Sequence, residues 1–297
     1  MHKRRVLNDV NTTIILFLVP AFILYIVFVV IPIFKSLEFS FFRWDGLGAM
    51  ENFVAFDNYI SIFKDRIFWG SFSNNLFLVF FSIITQMPFA ILLAIALTSK
   101  IKGKSFLRTM YFAPQIISTV ATGYLFYYIF EPTFGLLNET LKLIGLQNFT
   151  QGWLGEPKLA LLSVLFVISW RFVGFYMVLF MAAIEGISNE LFEAARIDGC
   201  TKFQVVRKIT LPLLSGTLKT ACILSIVGSI KYFDLVWIMT AGGPAHASEL
   251  IATYMYKKTF LSWEMGYGSA LAFILFIIAF SLSIIFMRLT SSRQDKK

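Results

Sequence analysis

The sequence predicts an all-α integral membrane protein with six transmembrane helices. Three observations carry that expectation. The 297 residues are 58 % hydrophobic and 14 % charged, where a soluble domain averages about 25 % charged. Apolar runs long enough for a helix to cross about 30 Å of hydrocarbon recur along the chain. Nothing alternates apolar and polar in the short segments that a transmembrane β-barrel needs. Helices follow, because every backbone N–H and C=O in lipid must be paired within the chain.

The spans read in order as approximately 12–34, 74–98, 108–130, 159–184, 217–240 and 267–289, within one membrane domain over 1–297. The first reads as a span and not as a cleaved signal. Its apolar run exceeds the roughly 7–15 residues of a signal core, and no small-residue cleavage site follows.

The formal charge of +9 is a matter of topology. Lys3, Arg4 and Arg5 precede span one, and Lys100, Lys102, Lys104 and Arg108 lie between spans two and three. Arg196, Lys202, Arg207, Lys208 and Lys219 lie between spans four and five, and Arg288, Arg293, Lys296 and Lys297 attend the end of span six. The opposite side has half as many, on longer loops: Lys35, Arg43, Lys64, Arg66, Lys142, Lys158, Lys257 and Lys258. The positive-inside rule therefore expects both termini in the cytoplasm. Basic clusters at span ends are what that rule produces, so no nucleic-acid partner is expected.

Other chemistries find little support. Cys200 and Cys222 fall in or beside the cytoplasm, so no disulfide is expected. His2 and His246 are isolated on opposite sides and cannot build a metal site. Asn138-Glu-Thr and Asn148-Phe-Thr match the glycosylation triplet, a pattern short enough to occur by chance.

The longest cytoplasmic loop, 185–216, contains ELFEAARIDGCTKFQVVRKITLPLL (190–214). Ser188 or Asn189 can cap a helix whose first turns carry Glu190 and Glu193, where the dipole favours acids. Gly199 stands where a left-handed C-terminal cap wants glycine. Thr201 and Gln204 fit a capping box, and Leu211-Pro212 ends or kinks the second helix. Two short helices joined by a tight turn result. Ala194 and Ala195 permit another backbone to approach. Phe203, Val206 and Ile209 form an apolar stripe beside Lys202, Arg207 and Lys208. The local pattern is equally that of a helix lying passively on lipid headgroups.

The string Glu193-Ala194-Ala195-x-x-Asp198-Gly199, followed by Phe203, Ile209 and Pro212, resembles the EAA loop of permease subunits of bacterial ATP-binding-cassette (ABC) importers. GLLNETLKLIGL (135–146), FDLVWIMTAGGP (233–244), YMYKKTF (254–260) and GYGSALAFILF (266–276) are similar to the carbohydrate-importer branch. Within it they look like the maltose-type and glycerol-phosphate-type first permease, in a compact six-span form. The resemblance covers essentially the whole chain, and Cys200 stands where the family often has Ala.

That resemblance implies a type I ABC importer permease fold in a bacterial inner membrane. The partners it implies are a second homologous permease, two ABC ATPase subunits, an extracellular or periplasmic sugar-binding protein and membrane lipid. It implies that Glu193, Ala194, Ala195, Asp198, Gly199 and Phe203 couple the chain to an ATPase. ATP-driven closure of the ATPases would then rock the permease pair between inward-open and outward-open states. ATP and Mg would be held by those partners, since this chain has no G-x-x-x-x-G-K-[ST] loop. No catalytic residue, metal or cofactor of its own is expected.

Polar groups inside a membrane are expensive and mark candidate sites. The substrate pathway is expected among Asn75, Gln115, Tyr124, Tyr128, Trp170, Arg171, Tyr176, Lys231 and Asp234. Tyr124 and Tyr128 are four apart, hence on one helix face. Tyr and Trp offer an apolar body and a polar tip, which suits sugars. Several of these residues have plainer readings. Lys231 and Asp234, three apart, can form a structural ion pair. Asn74 and Asn75 can cap a helix. Arg171 can bridge helices, and Trp263 and Tyr267 read as interfacial belt residues. Thr240–Pro244 is a turn by its own chemistry and could also touch a docked protein. Two other classes stay open. A secondary transporter would need internal repeats, and none is evident. A membrane enzyme would need a nucleophile with its base or a metal cluster, and the spans offer no His and no acidic pair.

Overall fold

The computed structural model describes residues 16–99 and 101–290. The expected topogenic bases Lys3, Arg4, Arg5, Lys100, Arg293, Lys296 and Lys297, together with His2 and the start of span one, lie outside the described residues. Among the described residues the protein is helical, with one isolated antiparallel bridge between Phe42 and Phe53.

The helices are α1 (Leu16–Phe39), α2 (Asp57–Lys64), α3 (Arg66–Thr98), α4 (Lys104–Ile116), α5 (Thr119–Ile129), α6 (Leu136–Leu143) and α7 (Pro157–Glu185). They continue as α8 (Asn189–Ile197), α9 (Lys202–Leu213), α10 (Ser215–Ile230), α11 (Asp234–Thr240), α12 (Ile251–Tyr256) and α13 (Met265–Thr290). The chain divides into two compact units. One comprises residues up to Lys64 together with Met255–Ile274, and the other Asp65–Tyr254 together with residues from Leu275 onward.

In the larger unit α3 and α7 form the central pair. Asp65 caps α3 by accepting from Ile67 N at 2.8 Å, as an orphan N–H at a helix start requires. One apolar cluster unites Leu78, Val164, Leu165 and Ile168 with Leu235, Val236 and Met239 of α11. A second joins Met87, Ala90 and Ala94 to Met177, Phe180 and Met181. A third sets Val79 against Ile226, Ile230 and Ala279. Lipid supplies no hydrophobic drive between helices, so contact rests on close packing and small residues. Gly174 shows this: a Cβ there would stand 1.9 Å from Tyr111 O, so α4 passes α7 at backbone distance.

In the smaller unit Asn58, buried in α2, donates to Ser40 O at 2.8 Å and Phe42 O at 3.0 Å. Tyr59 meets Ser40 Oγ at 2.6 Å. Burial holds the Tyr59 hydroxyl above its usual range, the Ser40 bond opposing this in part.

Among the described residues four helices are long and apolar enough to cross a membrane: α1, α3, α7 and α13. The bent pair α9–α10 makes a fifth, with a 62° angle at the break. Two expected spans are not continuous helices. Span three is divided into α4 and α5, with Ile117 (ψ 139°) and Ser118 (ψ 136°) extended between them. Pro114 lies in the last turn of α4, where its missing N–H weakens the ladder. Span five is divided into α10 and α11. Lys231 (φ −89°, ψ 5°) and Phe233 (φ −136°, ψ −54°) leave helical geometry there. A helix broken at membrane depth is tolerated only where neighbours satisfy the freed backbone.

Candidate functional site

The loop between α7 and α10 folds as its local chemistry dictates. Ser188 caps α8 by accepting from Glu190 N. At the other end Gly199 N donates to Arg196 O at 3.1 Å and Cys200 N to Ala195 O at 2.9 Å, with Gly199 at φ 73°. That pair of bonds is a Schellman closure around a left-handed residue. Thr201 then opens α9 with a complete capping box. Thr201 N donates to Gln204 Oε1 at 2.7 Å, and Gln204 N to Thr201 Oγ1 at 3.3 Å. A π-turn over Val206–Thr210 precedes Pro212. A proline ring clashes with the carbonyl four residues back, and widening the turn relieves that clash.

The side chains sort differently from the sequence pattern. Ala195 is buried within its own chain, so only Ala194 of the alanine pair is open to a neighbour. Glu193 and Asp198 are exposed. Phe203 is 71 % exposed, turned outward from Val206 and Ile209, which are half-buried. Ile197 is 86 % exposed. It was not singled out, although an isoleucine one residue before the Asp-Gly turn was the available signal. Two large apolar side chains thus flank a rigid turn.

The helix breaks are sealed by two polar side chains. Arg171, 9 % exposed in mid-α7, donates from Nη2 to Ile117 O at 3.2 Å, taking a carbonyl released where α4 ends. Its Nε and Nη1 are buried without a hydrogen-bond partner. Asn75, 2 % exposed in α3, donates from Nδ2 to Ser229 O and Ile230 O, each at 3.1 Å. Its Oδ1 accepts from Ile251 N at 2.9 Å. One amide therefore closes the end of α10 and the start of α12. Asn74 donates to Ala247 O at 3.0 Å and Glu249 O at 2.9 Å, holding the segment before α12.

These placements bear on two expectations. Asn75 uses its amide on backbone groups buried in the fold and clasps two helix ends. Lys231 and Asp234 are both exposed, and the ion pairs among the described residues do not join them. The break between them removes the i, i+3 helical geometry on which that pairing depended.

The remaining residues do not form one cluster. Tyr176 is buried in the packing with Met177 and Phe180. Gln115 is half-buried, with Oε1 unpartnered. Trp170 lies edge-on to Phe126, ring centroids 5.1 Å apart, and is partly exposed. Tyr124 and Tyr128 share an exposed face of α5. In the second break Tyr232 meets Phe172, neighbour of Arg171, at 6.3 Å between centroids.

Several apolar helices, two of the expected spans broken and sealed by buried polar side chains, and a capped two-helix loop mark a multi-pass membrane protein. Residues 67–294 match the family described as the inner membrane component of binding-protein-dependent transport systems, and the chain belongs to that family. It is 37 % identical over 283 residues to the probable ABC transporter permease protein YurN of Bacillus subtilis, covering 95 % of this chain and 97 % of that one. It is 34 % identical to the diacetylchitobiose uptake system permease protein NgcF of Streptomyces coelicolor, covering 92 % and 80 %. Its fold matches a chain of a bacterial ABC transporter involved in importing the acidic polysaccharide alginate. There the TM-score is 0.86 at 22 % identity, over 98 % and 99 % of the two chains. The type I importer fold is thereby established, and the chain is a transport component and not an enzyme.

Proposed function

We propose that this chain forms half of the passage by which a carbohydrate enters a bacterial cell. A second homologous permease forms the other half. Two ATPase subunits bind ATP and Mg and dock on the loop 185–216, and an extracellular or periplasmic sugar-binding protein delivers the substrate. Both termini face the cytoplasm, in accord with the distribution of basic residues. The observation that carries the reading is the loop itself. Its Schellman turn and capping box make it rigid, while Ile197 and Phe203 stand exposed beside Glu193, Ala194 and Asp198. A stiff element with an apolar tip can transmit a push, which a passive lipid-surface helix has no need to do.

A carbohydrate cargo is supported by relatives named for sugars. Besides the diacetylchitobiose permease, the lactose transport system permease protein LacF of Rhizobium radiobacter is 31 % identical over 289 residues. The exposed Tyr124 and Tyr128 offer rings of the kind a sugar stacks on. Arg171 and Gln115 contribute buried unpartnered polar atoms that a cargo hydroxyl could satisfy as the halves rock.

Reconstitution tests this. Liposomes holding this chain, its partner permease and the ATPases should take up labelled oligosaccharide only when ATP and the binding protein are both supplied. Uptake by this chain alone, driven by an ion gradient, would instead identify a secondary transporter.

A further inference from the structure

The smaller unit contains a cleft that the transport reading does not use. It measures about 590 Å³ and is walled by 43–61 on one side and 263–267 on the other. That volume is within the roughly 300–1,000 Å³ of small-molecule sites. We propose that this cleft is an external subsite for a neutral oligosaccharide, with the Trp263 indole as its stacking platform. The inference rests on the topology in which this unit faces outward.

Trp263 carries the argument. It has φ 57°, a left-handed conformation that is an outlier for so bulky a side chain. Such strain persists only where the surroundings over-determine the backbone. They do so here. Ser262 N donates to Lys257 O and Glu264 N to Lys258 O, both at 2.9 Å. Lys258 holds Glu264 at 2.9 and 3.2 Å and lies over the Tyr267 ring at 5.2 Å. The facing wall is equally set. Trp44 donates from Nε1 to Leu47 O at 3.0 Å and packs tilted at 57° against Phe39, with 4.9 Å between centroids. Its carbonyl accepts from Gly266 N at 3.0 Å.

This rigid frame aims unused groups at the cleft. Trp263 is 60 % exposed, and its indole N–H has no hydrogen-bond partner among the described residues. The same is true of the Arg43 guanidinium, the Glu51 carboxylate and the Asn52 amide. A flat indole with planar donors and acceptors beside it is the combination that recognises a sugar: C–H faces on the ring, hydroxyls on the rim. Arg43 on the same wall as Asp45 and Glu51 mixes the signs of charge, which favours a neutral ligand over an anion. A belt residue anchoring the membrane edge would need the exposed ring, but not the locked left-handed backbone or the polar wall facing it.

Labelling protection tests the proposal. The assembled transporter, in nanodiscs without binding protein, would carry Ala49→Cys at the cleft wall with Cys200→Ala and Cys222→Ala. A membrane-impermeant maleimide reports access. Maltotriose, cellotriose and triacetylchitotriose are the neutral probes, and trigalacturonate is the anionic control. At least one neutral probe should slow labelling about fivefold and the control should not. Adding Trp263→Ala should raise the protecting concentration about tenfold, and Trp263→Phe should keep it within about threefold. Protection by none of the neutral probes overturns the proposal. So does protection that survives Trp263→Ala unchanged, or labelling that responds only to lipid headgroup composition. ATP-driven uptake is measured on the same variants in liposomes. Normal uptake without protection removes the cleft alone, and protection with ATP-independent uptake removes the importer reading alone.

Discussion

Arg171 donates to the carbonyl of Ile117 at 3.2 Å, so a guanidinium from one transmembrane helix closes the break in another. The bond answers a need that neither helix meets alone, because the carbonyl belongs to a helix end with no partner in its own helix. Replacing Arg171 by alanine should destabilise the fold by about 1–3 kcal/mol, the cost of an unsatisfied buried group. Thermal unfolding in detergent measures this. Unchanged stability together with altered substrate preference would place Arg171 with the cargo and not with the helices.

Asn75 is the stronger clasp. Asn75→Ala abandons two carbonyls and one N–H, all buried, and should cost about 3 kcal/mol or more. Asn75→Asp keeps the acceptor for Ile251 N but sets a buried carboxylate oxygen against the Ser229 and Ile230 carbonyls, and should cost at least as much as alanine. The two variants can be ranked by their denaturation midpoints.

Gly199 makes a conformational demand and not a steric one. Nothing lies within 4 Å of where a Cβ would stand, yet φ is 73°. Gly199→Asn, which tolerates the left-handed region, should retain ATP-driven uptake. Gly199→Val should lose about 1–2 kcal/mol locally and lower uptake relative to ATP hydrolysis. Normal coupling in the valine variant would show that the turn need not be rigid.

Ile197→Glu and Phe203→Glu should leave stability within about 0.5 kcal/mol, since both side chains are exposed and surface substitutions usually stay within that range. The expected loss is in co-purification of the ATPases with the permease. Retained assembly in the double variant would move the docking surface elsewhere on the loop.

The coupling loop was legible because its determinants are local. Ser188, Gly199, Thr201 and Gln204 act on backbone groups within five residues, and each takes the role that its spacing implied. The helix breaks were not legible. Pro114 precedes the first by three residues, and Lys231-Tyr-Phe holds neither Gly nor Pro. A hydropathy window averages over both. What makes the second break tolerable is Asn75, whose partners lie 154 to 176 residues away, a distance no periodicity reports. The same limit hid the split of the alanine pair. Burial of Ala195 and exposure of Ala194 depend on which neighbour the helix leans against.

In α1, none of the most apolar 18-residue window is buried. A segment that its own chain does not hold is under no pressure to fit a complementary surface there. Its sequence can drift among apolar residues at little cost to the fold, whereas the clasps at Asn75 and Arg171 leave almost no latitude. Retention in the membrane has the same asymmetry. With no packing over that window, hydropathy alone has to hold this helix in the bilayer.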